Sequence, residues 1–487
     1  MRIRFNTLTF TLLQFFVKKA PVFLLLLIFC PFLTQAQPVS INDVKKQANK
    51  LYEDDEFTSA YKLYAQLVAN FPKDPEFNYR LGVCMIYSEP DKKKCIPYLK
   101  AAAANKEDAP KDVHFYLGKA YHINYLFDEA IKYYNEFKKT APASLQKKLQ
   151  VDREINACNN GKRLLSSMTD LVVQRKNTLN EAEYFRKYDL STIGGKLLVK
   201  PEELKTSPDK KKKDRSIIFR PRNSDVIYFS SYGENTDNGR DIYTAALQPG
   251  GTFSKPQKVA GINTQYDEDY PFLHPDGKTL YFASKGHNSM GGYDIFKTTY
   301  NESSNTWSQP VNLEFPINSP DDDFLFVTDS LEKTAYFSTG RQSEPGKIDV
   351  LKINTERKPI DVIVIKGSVM KESADQSLSS IISVQNLDNE KAVGTFSAQE
   401  NGDYLLELPN GAKLSLTVET PGLKTQSKEV QLPLATTAKP YKQTISYDNG
   451  ILQIRNNFDE EAGDENYLQY LKQIEKKAKL EVNEGEN

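Results

Sequence analysis

Leu280-Tyr281-Phe282-Ala283-Ser284, followed by Gly291-Gly292-Tyr293-Asp294-Ile295-Phe296, decides how the middle of this chain is read. The same pair of landmarks stands upstream as Ile227-Tyr228-Phe229-Ser230-Ser231 and Gly239-Arg240-Asp241-Ile242-Tyr243. It returns downstream as Ala335-Tyr336-Phe337-Ser338-Thr339 and Gly346-Lys347-Ile348-Asp349-Val350. Both landmarks recur at offsets of 53 and then 55 residues, so chance is a poor explanation. Ile262-Asn263 and Ile317-Asn318 recur 55 apart as well, each followed by an acidic triplet, Asp267-Glu268-Asp269 and Asp321-Asp322-Asp323. Runs of β-branched and aromatic residues bounded by Gly, Asp and Ser read as strands, with Tyr and Phe packing between neighbouring sheets. His274-Pro275-Asp276-Gly277-Lys278 reads as a turn in which Gly277 takes a positive φ.

This unit resembles the WD-repeat-like propeller blades of the TolB type, whose signature is Pro-Asp-Gly-Lys before a Tyr-Phe strand. The match is close in the second unit. The turn glycine is missing in the other two, where Arg222-Asn223-Ser224-Asp225 and Ser330-Leu331-Glu332-Lys333 stand. Residues 169–358 hold material for about four blades at ~40–45 residues each. Val172–Leu204 is expected to be a degenerate first blade, with Gly194–Val199 as its turn and strand. Asp209–Asp214, rich in lysine, is expected to be a solvated loop.

Upstream, Ala48, Gly82 and Gly118 are spaced 34 and 36 residues apart. Tyr64, Tyr98 and Tyr134 follow them, and Pro72 and Pro142 close the first and third units. Small residues let helices approach closely, aromatics fill the next groove and proline ends a helix. The pattern resembles tetratricopeptide repeats over residues 38–168, with Ala143–Ser167 as a capping helix. That resemblance implies an α-solenoid with a concave groove for a partner, lined by Tyr79, Tyr116 and Tyr125. Cys84 and Cys95 flank the turn Ser88–Asp91. They read as small core residues, with a disulfide as the alternative.

Residues 359–447 alternate in short strands with turns at Asn401-Gly402-Asp403 and Pro409-Asn410-Gly411. They resemble the transthyretin-like, carboxypeptidase-regulatory β-sandwich. Residues 448–487 are expected to be a tail with a charged helix over Asp459–Lys479. The fold class expected is therefore multidomain α plus β: α-solenoid, β-propeller-like domain, small sandwich and C-terminal helix.

The N-terminus reads as a signal peptide over residues 1–36. Arg2, Arg4, Lys18 and Lys19 precede an apolar run, Val22–Leu33, that as a helix reaches about 18 Å, short of a ~30 Å hydrocarbon core. Thr34-Gln35-Ala36 places cleavage before Gln37, and lipidation at Cys30 is the alternative. Lys+Arg and Asp+Glu each number 64, so no basic field for nucleic acid exists. No Gly-x-Ser-x-Gly, His-Glu-x-x-His, Cys-x-x-Cys or phosphate-loop spacing occurs, and His and Cys number four each, so no catalytic, cofactor or metal residue is assigned. His274 and His287 read as turn or loop residues. The acidic triplets read as strand-end carboxylates on amides or lysines, with calcium as the alternative.

The order of these segments resembles multidomain OmpA-family envelope proteins of Bacteroidetes-type bacteria, including one attached to the type IX secretion machinery. Only 40 residues follow the sandwich, too few for that family's peptidoglycan-binding domain. The resemblance implies a non-enzymatic periplasmic scaffold, peripheral to the outer membrane, that binds envelope or secretion proteins. A glycan- or peptidoglycan-binding module and a propeller hydrolase or lyase are the alternatives.

Overall fold

The computed structural model describes residues 40–461, apart from 106–107, 166–169, 223, 235–238, 359–361, 373–375 and 434–440. The signal peptide and most of the expected C-terminal helix lie outside these residues.

Eight helices come first: α1 (Ile41–Glu53), α2 (Phe57–Asn70), α3 (Pro75–Ser88), α4 (Cys95–Ala104), α5 (Val113–His122), α6 (Phe127–Thr140), α7 (Ala143–Lys148) and α8 (Val151–Leu164). Their starts are written locally. Ser40 caps α1 by accepting from the Asp43 amide, and Asp74 caps α3, with Pro75 in its first turn. A single apolar cluster runs through them, with Ala48, Ala60, Tyr64, Leu99, Tyr134 and Phe137 buried. Gly118 is obligatory because a Cβ there would sit 2.7 Å from the Tyr134 ring. Cys84, Cys95 and Cys158 are free, buried thiols.

The three long-period units do form equivalent β structure. Strands Val226–Ser231, Thr279–Ser284 and Thr334–Thr339 each pair antiparallel with the strand that carries the Asp-aliphatic landmark. Phe229, Phe282 and Phe337 are essentially fully buried. The Asn263 side chain clasps the preceding strand Asp241–Ala246, with its Oδ1 accepting from Ile242 N at 2.6 Å and its Nδ2 donating to Ile242 O at 3.1 Å. Asn318 repeats this on Ile295 at 2.7 and 2.9 Å. Each amide thus supplies the pair of bonds that a further strand would make. Tyr270 and Leu325, 55 residues apart, both take φ of 53° where the strand register slips. Gly277 sits at φ 72° as its turn requires. Glu332 takes the equivalent place at φ 51°, its carboxylate held by Lys297 at 2.8 Å and Tyr281 Oη at 2.9 Å.

Residues 362–461 form two facing sheets around one core that includes Ile365, Ile382, Leu406, Leu416 and Ile445. The first contains Val362–Lys371 between antiparallel Asp403–Pro409 and parallel Tyr441–Asp448, with Gln376–Ser377 and Ile451–Glu461 outside. The second runs Ala392–Ala398, Ser380–Asn386, Lys413–Glu419, Gln426–Gln431.

The expected fold class needs correction. The described chain is mostly β, with 23 strands in six sheets and nine α-helices. No clear helical solenoid is formed. The helices share one apolar cluster, which also takes in Met290 and Phe315 of the repeats. Nor do the sheets make a propeller: they are flat, and those of the repeat region contain two, three, four and five strands rather than equal blades. Val172–Leu204 is not a degenerate blade. Asp170–Asn180 pairs with distant Lys347–Lys358, and Gly195–Val199 pairs with Ile217–Pro221 alone. Asp209–Asp214 is solvated only at Lys210–Lys213: Ser207–Lys211 is helical, and Asp209 and Asp214 are both buried against Lys200. The start of the expected terminal helix, Asp459–Glu461, is the end of a strand.

Candidate functional site

The helices and the repeats meet along a seam that encloses a polar cleft of about 530 Å³. α5 supplies Lys119 and His122, and α8 supplies Arg153 and Glu154. The repeats supply Asp267, Lys285, Gly291–Gly292 and Pro320–Asp322. No helix among the described residues is long and apolar enough to cross a membrane.

Arg153 is the main tie across the seam. Its Nε donates to Lys285 O at 2.9 Å, a second nitrogen donates to Gly291 O, and a third reaches Glu154 Oε1 at 2.6 Å. Asn160, on the same helix, donates to Ser289 O at 3.0 Å, and His122 Nε2 donates to Met290 O at 2.7 Å. The loop 285–291 thus offers four backbone carbonyls to three side chains of the helical body. Lys92 adds an ion pair to Asp321 at 3.5 Å, and Tyr125 packs edge-on to Phe315 at 6.1 Å.

The buried charges of this seam sustain one another. His122 Nδ1 lies 3.3 Å from Glu154 Oε2. Burial opposes charge on His122, but the neighbouring Cys158 and the Glu154 carboxylate outweigh it and push its pKa up to about 10. Both ring nitrogens then donate, one to Glu154 and one to the Met290 carbonyl. Burial likewise opposes charge on Glu154, yet Lys119, His122 and Arg153 hold it well below the usual carboxylate range. Glu154 raises the pKa of Lys119 in turn. A buried pair with its hydrogen bonds satisfied tolerates no loss of one partner.

The expected groove residues are elsewhere. Tyr79 is buried, its hydroxyl donating to Asp112 Oδ1 at 2.7 Å, and its ring meets Tyr116 edge-on at 5.9 Å. Tyr116 is half-buried against Phe115. Tyr125 belongs to the seam rather than to a groove with the other two, and none of the three lines the cleft. His274 and His287 bond backbone carbonyls, Asp329 O at 3.1 Å and Ile262 O at 2.9 Å.

The triplet carboxylates fasten the repeats. Asp267 and Asp322 accept from the Arg240 and Tyr293 amides, each at 2.8 Å. Glu268 and Asp323 accept from Thr264 and Ser319 hydroxyls at 2.7 and 2.6 Å. Burial pushes Glu268 up to about 7 and Asp323 up to about 6. Among the described residues, no group of three or more His, Cys, Asp or Glu is placed to hold a metal ion.

The sequence reading missed Lys119, His122, Arg153 and Glu154. The spacing of Lys119 and His122, and the adjacency of Arg153 and Glu154, are ordinary for helix surfaces. The backbone carbonyls that His122 and Arg153 meet across the seam, those of Lys285, Met290 and Gly291, lie more than 100 residues away and leave no local pattern.

No family profile matches the chain, and no curated protein matches it. Among solved structures, it aligns with a 3-chlorocatechol 1,2-dioxygenase from Rhodococcus opacus at 11% identity and a TM-score of 0.13. That alignment covers 20% of this chain and 57% of the dioxygenase, so the chain spans little more than half of that enzyme. Candidate cell-adhesion proteins from Bacteroides fragilis and Bacteroides ovatus each align at 9% identity and a TM-score of 0.16. They cover 56% and 50% of this chain and 95% and 91% of their own lengths. Scores this low carry no argument about fold or function.

Proposed function

We propose that the mature chain is a non-enzymatic scaffold of the cell envelope that binds protein partners in envelope assembly or protein secretion. The observation that supports this is the seam. Arg153, His122, Glu154 and Lys92 are bonded to one another, to backbone carbonyls or to Asp321, which fixes the helical body against the repeats and offers a partner one composite surface. Such ties serve rigidity, and preorganised surfaces bind with less entropic loss. Export follows from the leader, with the mature chain starting at Gln37 and residing in the periplasm or on the outer membrane's inner face. The resemblance in segment order to OmpA-family envelope proteins is consistent with this reading.

The test is affinity purification of the mature chain from an envelope extract, with mass spectrometry and Edman sequencing. A reproducible partner set, weakened for Arg153→Ala, and an N-terminus at Gln37 are expected. Recovery of nothing above background, or release of reducing sugar from murein by the purified protein, would overturn the reading.

A further inference from the structure

Within the cleft, the cations are not equally occupied. Arg153 has given its donors to Lys285 O, Gly291 O and Glu154. Lys92 donates to Ile86 O at 3.0 Å and faces Asp321, and Lys285 reaches Asp267 at 3.3 Å. Lys119, half-buried on α5, lines the cleft with no hydrogen bond or direct ion pair among the described residues. Glu154 and Asp322 act on it only at longer range. A half-buried ammonium without a close acceptor is costly unless something else supplies one.

We propose that the cleft takes the carboxylate-bearing end of a partner polypeptide, with the carboxylate seated on Lys119. Three considerations select that chemistry. The volume of about 530 Å³ lies within the ~300–1,000 Å³ of ligand sites and is far too large for a single small anion. The walls carry both signs, so a polyphosphate would meet Glu154, Asp267, Asp321 and Asp322 as well as the lysines. An uncharged sugar would leave Lys119 without a close charged acceptor. A peptide end brings one carboxylate for Lys119 and backbone N–H groups for the aspartates.

This inference rests on the partner-binding function proposed above, and the two can fail separately. The probe is an immobilised set of random tetrapeptides made both as free acids and as C-terminal amides, exposed to the purified mature chain. Wild type should favour free acids about tenfold, in line with a charge-assisted hydrogen bond of ~1.5–3 kcal/mol. Lys119→Met should abolish the preference and Lys119→Arg should retain it. Competition of the wild type by millimolar acetyl-alanine, but not by its amide, reads the same site without any variant. No acid preference in wild type, or an undiminished one in a folded Lys119→Met, would overturn the inference. If envelope partners are recovered equally by wild type and Lys119→Met, the inference falls and the scaffold reading stands. If wild type recovers none, the scaffold reading itself falls.

Discussion

Lys200 and His122 are both buried cations, and they are held in different ways. Lys200 is fully enclosed, with Nζ 3.0 Å from Asp209, 2.8 Å from Asp214 and 2.7 Å from Ser230 O, so its three protons are spent inside the repeat region. Arg240 extends that cluster to Asp214 and Asp269. His122 instead divides its two donors between Glu154 in its own body and Met290 O in the other. The first cluster secures one body internally, as a core does. The second joins two bodies, and its failure should loosen their arrangement before it unfolds either. Buried charge therefore has two uses in one chain, and its partners, not its burial, tell them apart.

The largest effect expected is from Lys200→Met. It strands Asp209 and Asp214 in the interior at a cost of about 3–5 kcal/mol. Trp307, the single tryptophan, packs on Tyr228 and Tyr300 and reports on the repeats. Its fluorescence midpoint in urea should fall sharply, and an unchanged midpoint would deny the cluster a structural role.

Glu154→Gln should cost about 2–3 kcal/mol, because it keeps an acceptor but removes the charge that His122 needs. It also separates the two regions by pH. His122 has a pKa raised from 6.5 to about 10, so its stabilisation is complete below pH 6.5 and is lost as pH rises through about 10. Glu268 and Asp323 are raised by burial from 4.5 to about 7 and from 3.8 to about 6. Their contribution is lost earlier, as pH rises from 3.8 towards 7. As pH rises, wild type should therefore lose repeat stability first, between about 3.8 and 7, and seam stability later, through about 10. Glu154→Gln should flatten only the alkaline loss, followed by hydrogen exchange in α5 and α8.

Smaller changes test the repeat itself. Asn318→Ala removes two bonds to Ile295 and should cost about 1–3 kcal/mol, with Asn263→Ala at the lower end because Asn263 is less buried. Unequal trends in the reverse order would break the equivalence of the two units. Tyr79→Phe should cost about 0.5–1.5 kcal/mol through loss of the Asp112 bond, with no change in partner recovery if the tyrosine only packs.

The repeat was legible because its determinants recur at fixed offsets. Tyr-Phe, Asn263/Asn318 and the acidic triplets each occupy equivalent places. What the pattern could not convey was closure. Asp170–Asn180 finds its partner at Lys347–Lys358, so nothing near it announces the pairing. The lysine run at 210–213 masked the flanking aspartates, whose burial depends on Lys200 and, for Asp214, also on Arg240. The helical spacing of Tyr467, Leu468, Leu471 and Ile474, outside the described residues, suggested a helix from Asp459, yet Asp459–Glu461 extend a strand whose Leu452 anchors it in the core. The cleft was illegible for the same reason, since α8 meets the loop 285–291 only through folding.

The central claim is that the helical body and the repeats hold one fixed arrangement through Arg153, His122 and Asn160. Spin labels at Thr140→Cys and Ser303→Cys, both exposed and one in each body, measure it by double electron–electron resonance. The native thiols are buried and unreactive by comparison. One narrow distance distribution is expected for the otherwise wild-type protein, broadened in Arg153→Ala while both bodies stay folded. A broad distribution before any seam residue is changed would contradict the account.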